Sequence, residues 1–131
     1  MKKFLAIIFL SLLWSSNTYS QNLKFTKIVN LDNPWGSSFI NNYELIITEK
    51  EGKIKIVNLK NKSISVVDHN LNFLVIGQGG LLDIIYKEEY FWISYSEKRG
   101  SHKTSTSIAR GKLNRDKINF KNIFQANPPI N

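Results

Sequence analysis

Gln78 stands between Gly77 and the pair Gly79-Gly80, directly before the apolar run Leu81-Leu82-Asp83-Ile84-Ile85. A neutral amide offers two donors and an acceptor, the set needed to read hydroxyl groups, and flanking glycines let backbone approach a ligand closely. The same residues also read as a glycine-rich turn with a capping glutamine before a strand, and the sequence alone leaves both readings open. A phosphate loop is excluded, because no Lys-Ser/Thr pair follows, a third glycine at dinucleotide spacing is missing and no helical pattern follows. His69 and His102 lie in polar, turn-like stretches without a carboxylate or second histidine at ligand spacing, and both read as exposed loop residues. Trp35 has the chemistry to stack on a sugar ring, but as the start of an inner strand it reads as core packing. Asp83 has the chemistry of an acid or a metal ligand, but in an apolar strand it reads as a tie between sheets through backbone hydrogen bonds. Asn61-Lys62-Ser63 fits a glycosylation sequon, which matters only in a eukaryotic host. The chain has no cysteine, so disulfides, thiolate zinc sites and cysteine nucleophiles are all excluded.

The compartment follows from the N-terminus. Lys2 and Lys3 precede an apolar stretch from Phe4 to Leu10 that resumes at Leu12-Leu13-Trp14, and a polar tail with small residues at Thr18 and Ser20 leads into Gln21. This is the pattern of a secretory signal peptide over residues 1–20, and the apolar run is shorter than the roughly 20 residues that span a bilayer. The expected location is therefore periplasmic or secreted, with no membrane span after cleavage. The formal charge is +8, and losing two lysines with the leader brings it to +6. The Lys and Arg residues are scattered over strands and turns instead of forming a stripe, so the charge reads as solvated surface and no nucleic-acid partner is expected.

The remaining residues 21–131 show no helical periodicity. Short runs rich in Ile, Val, Phe, Tyr and Thr alternate with Gly, Asn and Lys-rich turns, the signature of β-strands. Tyr43 to Thr48 and Lys53 to Val57 form a hairpin about Glu51-Gly52, and Ser63 to Val67 continues it. The pattern repeats with Gly80 to Tyr86, Tyr90 to Ser96, Thr104 to Gly111 and Lys117 to Phe124, with Glu97 to Lys103 as a long basic hairpin tip. Tyr43–Gly52 overlays Tyr90–Gly100, and Trp35–Ile40 overlays Gly80–Ile85. Two units of about 40–50 residues with four strands each match the period of β-propeller blades, here placed at about 23–70 and about 77–127. Strand pattern alone fits an eight-stranded sandwich equally well, and the repeat favours the propeller. Two blades standing alone would leave two apolar faces open to water.

Particular residues then add what periodicity does not. Asn33-Pro34-Trp35-Gly36, Leu45 to Ile54 with its Thr48-Glu49-Lys50-Glu51-Gly52 core, and Gly77-Gln78-Gly79-Gly80-Leu81-Leu82-Asp83 resemble the glucose/sorbosone dehydrogenase family, whose members show "PWG", "VTER-G" and "GQGGLLD" in this order. Ser94-Tyr95-Ser96 and Ile108-Ala109-Arg110-Gly111 resemble two further strands of that family. The resemblance covers residues 23–131. It implies an all-β fold made of the first two four-stranded blades of a six-bladed propeller. It also implies oxidation of an aldose at its anomeric carbon, with hydride passing to pyrroloquinoline quinone (PQQ), a calcium ion polarising the cofactor and a histidine as base. By the same resemblance Gln78 is the sugar-binding position, and the partners are a sugar and an external electron acceptor. The base histidine, like the quinone and calcium ligands, is expected beyond Asn131. The 131 residues are thus expected to be inactive by themselves and to bind neither cofactor well. The rival readings are a propeller that binds sugar or another partner without turnover, and a small self-contained β-domain.

Overall fold

The computed structural model of the chain describes residues 23–129. The leader read over residues 1–20 lies outside the described residues. Residues 23–33 carry no strand. After them come β1 (Pro34–Asn41), β2 (Glu44–Glu49), β3 (Ile54–Asn58) and β4 (Ile64–His69), then β5 (Leu81–Lys87), β6 (Tyr90–Lys98), β7 (Thr104–Gly111), the short β8 (Leu113–Asn114) and β9 (Lys117–Ile118), and β10 (Lys121–Gln125). β1 to β4 form one antiparallel meander, and β5, β6, β7 and β10 form the second. The repeat in the sequence is therefore a repeat of sheets. β1 corresponds to β5 and β2 to β6, and each tight turn falls where the pattern places it. The β2–β3 turn closes with Glu49 N–H to Lys53 O at 2.8 Å, around Gly52 at φ 110°. The β5–β6 turn uses Glu88 and Glu89, both at positive φ, which suits the twist of a two-residue hairpin although neither is glycine.

One expected strand differs. The stretch from Lys117 to Phe124 does not form a single fourth strand of the second sheet. Lys117 and Ile118 instead pair in parallel with Asp68 and His69, so the β8–β9 hairpin extends the first sheet, and only Lys121–Gln125 edges the second. Asn70 fixes this crossing: its side-chain amide donates to Phe120 O at 3.1 Å and accepts from Phe120 N at 2.7 Å. A single side chain thus substitutes for a missing strand-to-strand pair.

The two sheets share one core. Ile46, Ile54 and Val67 of the first meet Leu81, Ile84, Phe91, Ile93, Tyr95 and Ala109 of the second, with Ile118 and Phe120 closing one end. Each buried Ile or Leu contributes about 1.5–3 kcal/mol of transfer free energy, so this interface is the main source of cohesion. β1 and β5, the inner strands, lie against each other. A Cβ on Gly36 would come within 2.6 Å of Asp83 Cα and 2.9 Å of Ile84 N, so only glycine admits this approach. The opposite faces remain apolar and open: Phe39, Ile64 and Val66 on the first sheet, Ile85 and Phe124 on the second, are 40 to 60% exposed or slightly more. This is the pair of uncovered faces expected of two adjacent blades.

Behind the core, on the far side of β2, lies a buried ion pair. Glu49 is 1% exposed, and its Oε1 accepts from Lys55 Nζ at 2.6 Å and from Asp32 N at 2.7 Å, while Oε2 has no partner among the described residues. Burial by itself would raise the Glu49 pKa. The Lys55 and Asp32 hydrogen bonds, with the charges of Lys55 and Lys53, outweigh it and hold the carboxyl below its usual value. A depressed folded-state pKa makes this contribution present above the ordinary carboxylate range and lost as pH falls through the folded value. Lys55→Met, which strands the buried carboxylate, should therefore cost about 3–5 kcal/mol at neutral pH in urea unfolding. Glu49→Gln should in turn flatten the loss of stability on acidification below pH ~4.5. An unchanged acid dependence in Glu49→Gln would show that the pair contributes nothing.

Candidate functional site

The end of each sheet where β1 and β5 begin carries the residues the sequence singles out. Gln78 lies exposed in the turn just before β5, and Trp35 is the second residue of β1. The two line one concavity of about 390 Å³ together with Leu82, Ser96, Thr104 and Thr106. The lining is neutral: one amide, several hydroxyls and apolar surface, with no charged side chain. Such a set reads hydroxyl-bearing ligands through directional hydrogen bonds without charge.

The turn that carries Gln78 is held from both sides by one residue of the first sheet. Lys50 Nζ donates to Gly77 O at 2.5 Å, and Lys50 O accepts from Leu81 N at 3.1 Å. A Cβ on Gly80, at φ 143°, would come within 2.2 Å of Lys50 O, so only glycine fits here. Within the turn, Gly79 N donates to Ile76 O at 2.7 Å. The glycines and backbone of Gly77-Gln78-Gly79-Gly80 thus make the turn, and among the described residues no hydrogen bond holds the Gln78 amide at its rim. Thr48, two residues before Lys50, performs the parallel task for Trp35. Its buried hydroxyl accepts from Gly36 N at 3.0 Å and donates to Leu82 O at 2.5 Å, locking the start of β1 to β5.

Other candidates settle elsewhere. Trp35 is 48% exposed, so the indole is not core here, contrary to the packing expected of it, because it projects into the concavity at the strand's end. Asp83 does not bridge the sheets through its carboxylate, which accepts from its own neighbour Ile84 N at 2.9 Å. The ties between sheets come instead from Thr48 and from Ser38, whose Oγ accepts from Tyr86 N at 3.0 Å. His102 is exposed in its loop, as expected. His69 is not: it ends β4, half-buried, with Nε2 donating to Gly52 O at 2.8 Å and Nδ1 accepting from Leu71 N at 3.3 Å. Both ring nitrogens are thereby occupied in a structural role. Sequence reading missed the cluster about Glu97, which accepts from Ser107, Asn122 and Gln125 and holds β6, β7 and β10 together. Next to it, burial and then the Glu97 charge raise the Tyr95 pKa, and its hydroxyl donates to Asn122 Oδ1 at 2.7 Å. A charged residue in the apolar–polar alternation of β6 was the available signal. Among the described residues no group of three or more His, Cys, Asp or Glu is placed to hold a metal ion.

Comparison with known proteins agrees with this geometry. The model of the glucose/sorbosone dehydrogenase family matches residues 31–131. The aldose sugar dehydrogenase YliI of Escherichia coli K12 is 28% identical over 109 residues, covering 76% of this chain and 29% of that protein. A solved glucose dehydrogenase superposes with TM-score 0.70 at 25% identity, covering 76% of this chain and 32% of its own. The PQQ-bound aldose sugar dehydrogenase of Streptomyces coelicolor superposes with TM-score 0.66 at 17% identity over 76% of this chain and 32% of its own, a likeness of fold. The chain therefore spans about a third of the length of the relatives it matches, and its two sheets are adjacent propeller blades.

The clamp on the turn has a direct test. Lys50→Met should raise amide hydrogen exchange several-fold across residues 77–81 while leaving the amides of β2 and β3 unchanged, and Lys50→Arg should restore protection. Equal exchange in all three proteins would remove Lys50 as the clamp.

Proposed function

This chain belongs to the glucose/sorbosone dehydrogenase family, and we propose on that footing that it supplies the first two blades of an exported, PQQ-dependent aldose dehydrogenase. In this reading the protein oxidises the anomeric carbon of a sugar and passes the electrons to an external acceptor. The leader over residues 1–20 directs it to the periplasm or the exterior. The observation that carries the reading is the neutral concavity that brings Gln78 and Trp35 together where the inner strands begin. Gln78 has the chemistry to bind and orient the sugar hydroxyls: its amide both donates and accepts, and its turn is held by Lys50.

The described residues do not themselves fit calcium or the quinone. The concavity offers no carboxylate for a hard cation, and no arginine or lysine among its lining residues for the acidic groups of a quinone cofactor. We assign both to the part of the family fold that this chain does not span. PQQ supplies the hydride-accepting chemistry when bound, and these two blades contribute sugar binding and one wall of the site. The uncovered apolar faces on both sheets support this reading, because further blades would bury them.

Reading the coding sequence past the codon for Asn131 tests the assignment: an open frame holding a histidine soon after and about four further blade repeats is expected. A stop codon at that point would leave the relation to dehydrogenases as ancestry alone, and an open frame without a base would favour the binding protein. The 131 residues alone, supplied with PQQ and calcium, should give no sugar-dependent dye reduction. In a full-length active enzyme, Gln78→Ala should raise KM for the aldose by about three- to tenfold, the loss of one or two neutral hydrogen bonds.

A further inference from the structure

The hairpin between β6 and β7 carries two lysines without a structural task. Lys98, Arg99 and Lys103 fall within one short run that holds no acid. Lys98 and Lys103 are exposed, as is His102 between them. The acid next to them, Glu97, is already committed. It accepts from Ser107, Asn122 and Gln125, and Arg99 Nη1 stands 3.7 Å from it. That pairing accounts for Arg99. Among the described residues neither Lys98 nor Lys103 forms an ion pair.

The tip is held out from the sheet. β6 runs past Tyr95, the partner of the first β5 residue, to Lys98, which pairs with Thr104 of β7. The hairpin thus clears the start of β5 by about 10 Å at the usual strand rise. Arg99 N donates to Lys103 O at 2.8 Å and closes it, and Lys98 N donates to Asn72 O at 3.0 Å. The Arg99 guanidinium reaches back to the buried Ser105 hydroxyl at 3.3 Å and to Asn127 Oδ1 at 3.5 Å. The charge therefore projects from a fixed base beyond the end of the sheets where β1 and β5 begin, whereas a further blade covers the face.

An aldose dehydrogenase meets two partners at its site, a sugar and an electron acceptor. An ordinary aldose is neutral, and the concavity that Thr104 lines beside the hairpin carries no charged side chain. Lysines at the tip gain nothing for such a substrate. A cationic projection does raise the local concentration of anions and speeds their encounter over about a Debye length. We propose that Lys98 and Lys103 steer an anionic electron acceptor to this end of the molecule. The inference rests on the sugar-oxidising reading above. In that reaction the aldose gives up two electrons and two protons and becomes the lactone. Two one-electron anionic acceptors take the electrons, and the protons pass to solvent.

Ferricyanide, hexaammineruthenium(III) and benzoquinone supply an anionic, a cationic and a neutral acceptor for the test. In the full-length holoenzyme at saturating aldose and about 10 mM ionic strength, Lys98→Gln/Lys103→Gln should lower kcat/KM for ferricyanide by about three- to tenfold. The same variant should leave benzoquinone reduction and the KM for aldose unchanged, and raise kcat/KM for hexaammineruthenium. At about 150 mM ionic strength the differences should shrink toward zero. Lys98→Arg/Lys103→Arg should match the unaltered protein, because charge is what the acceptor reads. Equilibrium dialysis of hexacyanocobaltate(III), a trianion of the same shape that takes no electron, should show weaker binding to the Gln variant without any turnover. The proposal is overturned if the Gln variant reduces ferricyanide at low salt as the unaltered protein does, or if benzoquinone reduction falls equally. Turnover with none of the three acceptors dismisses the dehydrogenase reading and the acceptor with it, while lysine-dependent hexacyanocobaltate binding in that case upholds the anion site alone.

Discussion

The buried hydroxyl of Thr48 sets the spacing on which the rest of the molecule depends. One oxygen accepts from Gly36 of β1 and donates to Leu82 of β5, joining three strands in two sheets. Its neighbours extend the junction. Glu49 holds the segment before β1 through the Asp32 amide, and Lys50 holds the turn before β5. Three consecutive residues at the end of β2 thus fix both inner strands at the end where the concavity opens. Directional bonds suit this position better than apolar contacts, because they set distance as well as proximity.

The electrostatics follow the same division. The lining of the concavity is neutral, whereas the charged groups that matter to cohesion face elsewhere: Glu49–Lys55 behind β2, and Glu97, which stands opposite the lining residue Ser105, between β6, β7 and β10. A buried carboxylate beside a ligand site would impose a pH dependence on binding. Here the buried carboxylates hold strands in place, and hydroxyls and an amide line the concavity.

Much of this was legible in the chain. The four-strand period could be read because Tyr43–Gly52 and Tyr90–Gly100 keep the same order of apolar and turn residues, and the structure places them as β2 and β6, each with the turn that follows. Gln78 stood out because glycines bracket it. The crossing of Lys117 and Ile118 to the first sheet was not legible: a two-residue strand has no periodicity, and its partner lies about fifty residues earlier. Trp35 was misread as core because residue type alone does not tell a strand's buried middle from its end beside an open space. His69 escaped because its partners are backbone atoms of Gly52 and Leu71, which no side-chain spacing reveals.

The crossing hairpin also bears on how the chain comes off the ribosome. β4 offers its open edge as soon as it forms, but the residues that pair with it, Lys117 and Ile118, are made only after β5, β6 and β7. At synthesis rates of roughly 5–20 residues per second, that edge waits several seconds without its partner. The first blade is therefore completed by the second, and the nascent chain is open to wrong strand pairing throughout the interval.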